Sequence, residues 1–110
     1  MTNENTLELY DQMNAGVLNT ALQSVHSALE SGAMTFTGLE GIGAILMLAK
    51  RDEMLTINVS AAWLIARLQQ RGVEAPEVML AQFAAHFAIP PQVAALDISR
   101  FFSQLSTSLD

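Results

Sequence analysis

Apolar residues follow two different spacings along this chain, and the change between them separates helical from extended segments. Across residues 2–31 they recur every three or four positions, the spacing of one helix face, so we predict one long helix or two shorter ones. Gly16 marks a candidate break, because glycine weakens a helix interior. Ser31 and Gly32 predict the end of this segment, since glycine readily adopts the positive φ of a helix C-cap.

A small antiparallel ribbon is predicted next. Met34 and Phe36 alternate with threonines, which is typical of a short edge strand. Two further strands are predicted at residues 44–48 and 54–59, joined by a solvated turn at residues 50–53. Residues 42–50 also have an interpretation as a helix, because alanine, leucine and methionine are good helix formers. The glycines at 38, 41 and 43 favour the strand.

Three helices are predicted after the ribbon. The first covers residues 60–70, with Ser60 as its N-cap, Val59 and Leu64 as a hydrophobic staple, and Gly72 as its end. Prolines 76 and 91 each open a further helix, because proline is tolerated at the first helical position. The polar residues 106–110 are expected to fray.

The predicted fold class is therefore α+β and mostly helical. A long N-terminal helix precedes a small antiparallel β ribbon, or wing, and then a three-helix unit like a winged helix-turn-helix. We divide the chain into an N-terminal helical extension, residues 1–32, and a winged-helix-like domain, residues 33–110, which together form one globular unit.

Composition limits the functions that this chain can have. Of its 110 residues, 51% are hydrophobic and 15% charged, so we expect a homodimer or another partner to cover part of the apolar surface. It has no cysteine, which excludes disulfides, thiolate metal sites and cysteine nucleophiles. The net charge of −6 disfavours nucleic acid and favours a basic partner surface. Because we find neither a secretory signal nor a membrane-spanning run, we expect a cytoplasmic location.

Side chains that serve catalysis or metal binding lack suitable neighbours in the sequence. His26 and His86 have no second ligand at metal-binding spacing, so we expect no metal. Gly38, Gly41 and Gly43 lack the lysine and hydroxyl residue that complete a phosphate-binding loop, and we expect no cofactor. The acidic pair in the predicted turn is poorly placed for acid–base chemistry. We therefore do not expect an enzyme.

The predicted strand-to-helix junction resembles that of a known family. Residues 57–62, Ile-Asn-Val-Ser-Ala-Ala, are similar to the Leu-Asn-x-Thr-Ala-Ala junction of the PqqD-like family, named for pyrroloquinoline quinone biosynthesis protein D. The resemblance continues through the glycine at 72, the helix opening at residues 75–78 and the ending Phe-Phe-Ser-Gln-Leu at residues 101–105. It covers residues 43–105. The long N-terminal helix is not part of the family's usual unit and suggests an added dimerisation or docking element.

The resemblance implies a non-catalytic peptide-recognition module. Such domains hold the leader segment of a ribosomally made precursor peptide and present it to a modifying enzyme, in several cases a radical SAM enzyme. The leader adds as a strand to the edge of the wing and packs against the last helix. The peptide-binding residues implied here are Leu55, Thr56, Ile57 and Asn58 on the strand, and Val93, Leu96, Asp97, Arg100 and Phe101 on the helix.

Other interpretations remain open from the residues alone. A helical interaction or regulatory protein, such as an adaptor, secretion chaperone or immunity-type protein, would use its apolar helices to dimerise or to bind one protein partner. A DNA-binding winged helix would read bases with residues 91–105, but that segment carries one arginine and one aspartate. We interpret Trp63 as a core residue and Asn58 as the residue that holds the strand-to-helix corner.

Overall fold

A computed structural model describes residues 15–109 of the chain, with side-chain burial from residue 16 onward. The elements follow in the order α1 (Ala15–Ser31), β1 (Met34–Leu39), β2 (Gly43–Leu48), β3 (Glu53–Ile57), α2 (Val59–Arg71), α3 (Pro76–Phe87) and α4 (Pro91–Leu109). The prediction of a mostly helical α+β chain, with a ribbon between an N-terminal helix and three further helices, is confirmed. The predicted beginning of the first helix lies outside the described residues.

The three strands form one antiparallel sheet in the order β1-β2-β3, so β1 and β3 are both edges. Leu46 of the central strand is buried and pairs with Phe36 on one side and Leu55 on the other. The predicted short edge strand that contains Met34 and Phe36 is confirmed as β1. The strand interpretation of residues 42–50 is also confirmed, and the helical alternative is wrong. The third strand ends at Ile57, two residues before the predicted end.

Gly43, at the start of β2, lies close to the backbone at the end of β3. Its φ is 140°, a conformation that side chains of L-residues rarely adopt, and a Cβ at this position would overlap the Ile57 carbonyl oxygen. Gly38 on β1 is different, since a Cβ there would meet no atom within 4 Å. A residue without a side chain is therefore required at the start of β2 and optional in β1.

Helix α1 contributes to the same core as the sheet and the later helices. Its Leu22 and Val25 are fully buried, as are Ile98 and Phe102 of α4. The contact between α1 and α4 is the most extensive one between helices in the described chain, and α1 also contacts β1. The N-terminal helix is thus packed against the unit that follows it, while the domain division at residue 32 stays a prediction.

Asn58, rather than Ser60, is the N-cap of α2. Its Oδ1 accepts the backbone N–H of Ala61 at 2.9 Å and the hydroxyl of Ser60 at 3.0 Å. Val59 is the first helical residue and 47% exposed, so the predicted staple with Leu64 is also wrong. Asparagine and serine are comparably good caps, and the early end of β3 moves the cap two residues upstream.

The other helix ends lie close to their predicted positions. Gly72 closes α2 with a φ of 76° and donates its N–H to the Leu68 carbonyl at 2.9 Å. Prolines 76 and 91 open α3 and α4 as predicted. The expected fraying after residue 105 is wrong, because α4 continues to Leu109. Buried Leu105 holds this last part of the helix against the core.

The apolar composition of α3 and α4 is explained by their place in the fold. Between residues 15 and 109, no single helix is long and apolar enough to cross a membrane. Among the described helices, only α3 and α4 taken together are long and apolar enough, and they are bent by 117° at the break between them. Phe83 of α3 and Phe102 of α4 are buried inside the domain. The cytoplasmic location stays a prediction.

Candidate functional site

The alternation of hydrogen-bonding direction along the sheet decides which residues of β3 direct their backbone N–H and C=O groups away from β2. Ala33 and Ala49 stand opposite each other, one position beyond the pair of Met34 and Leu48, and the Ala49 N–H donates to the Ala33 carbonyl at 2.9 Å. Because bonding directions alternate along an antiparallel strand, odd-numbered residues of β2 bond toward β1 and even-numbered residues toward β3. The residues of β3 paired with even-numbered positions are Glu53, Leu55 and Ile57.

Thr56 is therefore the centre of an unpaired edge. The N–H and C=O groups of Met54 and Thr56 point away from β2, as does the N–H of Asn58. The Asn58 carbonyl is used differently, since it accepts the N–H of Ala62 at 2.9 Å and begins α2. The edge that is open to an added strand covers residues 54–58 and ends where the helix starts.

A cavity of about 240 Å³ lies between this edge and the C-terminal half of α4. The side chains of Leu55 and Ile57, both partly buried, form the strand wall, and Phe101 and the buried Leu105 face them from α4. Thr56, Gln104 and Ser108 complete its lining, so no ionisable side chain of the described chain lines it. We call this cavity the apolar recess.

A second cavity, of about 290 Å³, lies beyond Asn58 and is named the polar recess. Asn58 and Ser60 line it from the strand-to-helix junction, and Asp97 and Arg100 line it from α4. Its apolar lining includes the buried side chains of Leu64 and Phe83. Phe101 and Gln104 line both recesses, so the two adjoin along α4, and we call them together the groove.

Most of the sequence-predicted binding residues lie in this groove. Leu55, Thr56 and Ile57 line the apolar recess, whereas Asn58, Asp97 and Arg100 line the polar recess, and Phe101 lines both. Val93 and Leu96 are 44% and 55% exposed and line neither recess. Peptide binding by all nine residues stays a prediction, but the geometry separates Val93 and Leu96 from the other seven.

Sequence reasoning missed part of the helix wall. Gln104, Leu105 and Ser108 line the groove and were not among the candidates. The signal that identifies Gln104 and Ser108 is helical spacing, because residues 97, 100, 104 and 108 follow one another at intervals of three and four and so share a helix face. Phe83 cannot be found in this way, since it comes from a separate helix.

An aromatic cluster fixes α2 against α3 behind the polar recess. Trp63 is partly buried and packs against the core, as predicted, with its ring centroid 5.8 Å from that of Phe83. His86 stacks on the outer side at 5.2 Å, and the Arg67 guanidinium lies 5.3 Å from the Trp63 ring. Arg67 also donates to both carboxylate oxygens of Glu74, at 2.6 and 3.0 Å. These contacts hold the Phe83 side of the recess in place.

Neither histidine lies in a metal-binding arrangement. His26 approaches the Glu30 carboxylate at 3.3 Å on the same helix, and His86 is exposed and stacked on Trp63. Within residues 15–109, no three histidine, aspartate or glutamate side chains are grouped so that they could hold a metal ion.

Comparison with known proteins identifies the family. A family model described as coenzyme PQQ synthesis protein D (PqqD) matches residues 43–108, from the first residue of β2 almost to the end of α4. The chain belongs to the PqqD family. The resemblance noted in the sequence is thereby confirmed, and the matched PqqD segment contains both walls of the groove, while α1 and β1 precede it. Searches of curated proteins and of solved structures found no match.

Proposed function

We propose that this PqqD-family protein is a non-catalytic recognition module that binds the leader segment of a ribosomally made precursor peptide and presents it to a modifying enzyme. The observation that carries the proposal is the unpaired edge of β3, which faces a groove closed on its other side by α4. Family membership supports the non-catalytic recognition role, and the family's name links it to the synthesis of coenzyme PQQ.

The groove offers a strand-like peptide both affinity and selectivity. An added strand hydrogen-bonds to the outward backbone groups of residues 54–58, and each such bond contributes about 0.5–1.5 kcal/mol net. Every second side chain of that strand then points toward the helix, where the apolar recess accepts one apolar side chain. Backbone pairing gives binding of extended peptides in general, and the recesses discriminate between them.

The outer face of the sheet supports the second part of the proposal, a protein partner. Met47 and Met54 pair with each other across β2 and β3 on this face, and they are 41% and 62% exposed. Exposed apolar side chains that lie together are typical of protein interfaces. A peptide bound at the β3 edge leaves this face free for the modifying enzyme, which we propose to be a radical SAM enzyme.

The same exposed residues favour a second candidate function. In it, the protein is an interaction or regulatory module that dimerises or binds a single protein through the apolar outer face of the sheet. The predicted homodimer belongs to this alternative as well as to the first. Light scattering coupled to size-exclusion chromatography tests the dimer itself, because a monomer at tens of micromolar contradicts dimerisation under either function.

An affinity pull-down from the native host tests the proposed function directly. Mass spectrometry should cover both large proteins and short peptides recovered with the bait. We expect a precursor peptide together with a modifying enzyme. Recovery of one large partner, or of further copies of this chain alone, contradicts the proposal and favours the second candidate.

Amide hydrogen exchange then locates the bound peptide. With the recovered peptide added, we expect the Thr56 N–H to become protected, because it gains a hydrogen-bond partner from the added strand. Gly38 on β1 serves as an internal control, since its backbone groups also point to a free edge but away from the groove. Equal protection at Gly38 and Thr56, or none at either, contradicts binding at β3.

A further inference from the structure

The two halves of the groove differ in the charge of their walls. The apolar recess is lined by no ionisable side chain of the described residues, whereas Asp97 and Arg100 both line the polar recess. Neither Asp97 nor Arg100 forms an ion pair within residues 15–109. An occupant that extends through both recesses therefore passes from an apolar wall to a wall that carries one negative and one positive side chain, neither of them in an ion pair within the described residues.

Arg100 lies closer to the apolar recess along α4 than Asp97 does. Phe101 and Gln104 line both recesses, and Arg100 directly precedes Phe101, whereas Asp97 is one helical turn further away. Arginine also has the longer side chain, with five N–H donors in a fork that matches a carboxylate. The first charged group that a peptide strand meets beyond the apolar recess is therefore the guanidinium of Arg100.

Arg100 is also the only cation of the described chain that lines this groove. Arg67 is already paired with Glu74, and Arg71 lies in the last turn of α2. Lys50 and Arg51 lie in the turn before β3 and are followed by two acidic residues. Attraction of an anionic group inside the groove thus depends on one side chain, which makes it testable by one substitution.

The spacing of the two recesses sets the spacing of the peptide residues that fill them. From Gln104 to Arg100 the helix rises about 6 Å, at about 1.5 Å per residue. Two residues of an extended strand span about 6.6 Å, and side chains two apart point to the same face. An apolar side chain in the apolar recess and a second side chain beside Arg100 are therefore two positions apart in the peptide.

We propose that the groove selects an extended peptide segment in which one acidic residue lies two positions from an apolar anchor, with Arg100 binding its carboxylate. This inference rests on the proposed function, because it names the chemistry of the peptide that the groove holds. A longer run of acidic residues is disfavoured, since Asp97 and the net charge of −6 repel it. The recognised feature is thus a single carboxylate next to an anchor.

Selection from a library tests this specificity without knowledge of the natural peptide. The probe is a phage-displayed library of random 12-residue peptides, selected in parallel against the wild-type chain, Arg100→Glu and the control Arg71→Glu. Arg71 is an exposed arginine outside the groove. We expect the wild type and Arg71→Glu to enrich an apolar residue with Asp or Glu two positions away. The Arg100→Glu chain should keep the apolar residue and lose the acidic one.

Calorimetry with one wild-type-selected peptide then tests both partners of the proposed ion pair. Changing the acidic residue of the peptide to the matching amide should weaken binding to the wild type about two- to fivefold, the range of a solvent-exposed ion pair. The same change should have no effect on binding to Arg100→Gln. The first of these two comparisons uses only the wild-type protein, so it does not depend on the folding of any variant.

The outcomes separate this inference from the function on which it rests. If all three chains enrich the same apolar pattern without an acidic residue, the charge inference is overturned and peptide binding in the groove stands. If the wild type enriches no peptide, the proposed function fails and the inference with it. An acidic preference that persists unchanged in Arg100→Glu also overturns the assignment to Arg100.

Discussion

The two edges of the sheet are chemically alike but have different surroundings. β1 and β3 each direct the backbone groups of alternate residues away from the central strand. β1 packs against α1, whereas β3 borders the groove that separates it from α4. An unpaired edge alone is a risk for unspecific strand pairing. It becomes a recognition site where a second wall supplies side-chain contacts at the right distance.

The largest effect is expected from substitution of a glycine in the sheet. Gly43→Ala should lower the free energy of unfolding by about 3 kcal/mol, because the new Cβ overlaps the Ile57 carbonyl oxygen and the positive φ is strained. Gly38→Ala on β1 is the matched control and should change stability by less than about 0.5 kcal/mol. Urea denaturation monitored by circular dichroism measures both. Equal midpoints for the two variants contradict the tight approach of β2 to β3.

Proline substitutions test which edge receives the peptide. Thr56→Pro removes the central outward N–H and places a ring at the edge, so binding of the recovered or library-selected peptide should weaken about 30-fold, or roughly 2 kcal/mol. The fold should survive, since proline is tolerated on edge strands where the N–H is unpaired. Isothermal calorimetry gives the affinity.

Two controls accompany this substitution. Thr56→Val keeps the backbone N–H and should bind nearly as well as the wild type. Gly38→Pro makes the equivalent change at the β1 edge, where no peptide is proposed to bind. A folded Thr56→Pro chain that binds with wild-type affinity contradicts the placement of the peptide on β3.

The smallest effect is expected from substitution of the helix cap at the end of the β3 edge. Asn58→Ala removes the acceptor of the Ala61 N–H and should cost about 1 kcal/mol of stability. Ser60→Ala should cost less, because the Ser60 hydroxyl only donates to the Asn58 side chain. Thermal unfolding of both variants compares them. A larger loss for Ser60→Ala than for Asn58→Ala would restore serine as the cap.

The order of elements was predictable from the sequence because its signals are local. The alternation at residues 34–37, the glycine at 72 and the prolines at 76 and 91 each act within a few residues. The choice between Asn58 and Ser60 as cap was not decided locally, since both residues are good caps and the outcome depends on where β3 stops pairing with β2.

The groove was only partly predictable, because it depends on how α4 packs across the domain. Its residues 93 and 96 are as apolar as its core positions, yet Val93 and Leu96 are exposed while Ala94 and Ala95 are buried. Small residues allow elements to pack closely, and α4 carries apolar residues on more than one face, so helical spacing alone does not decide which face is turned inward. The wing residues 55–58 and the positions 97, 100 and 101 were predicted through the family resemblance, and the structure brings them together around the two recesses.

The packing of α1 against α4 also has a consequence for biosynthesis. These are the first and last described elements, so their mutual contacts have the largest separation along the chain. During translation, α1 and the strands leave the ribosome while α4 is still to be made. One wall of the groove is therefore missing from every nascent chain that lacks α4. Competence to hold a peptide across both walls begins only when the last helix has emerged and docked on the first.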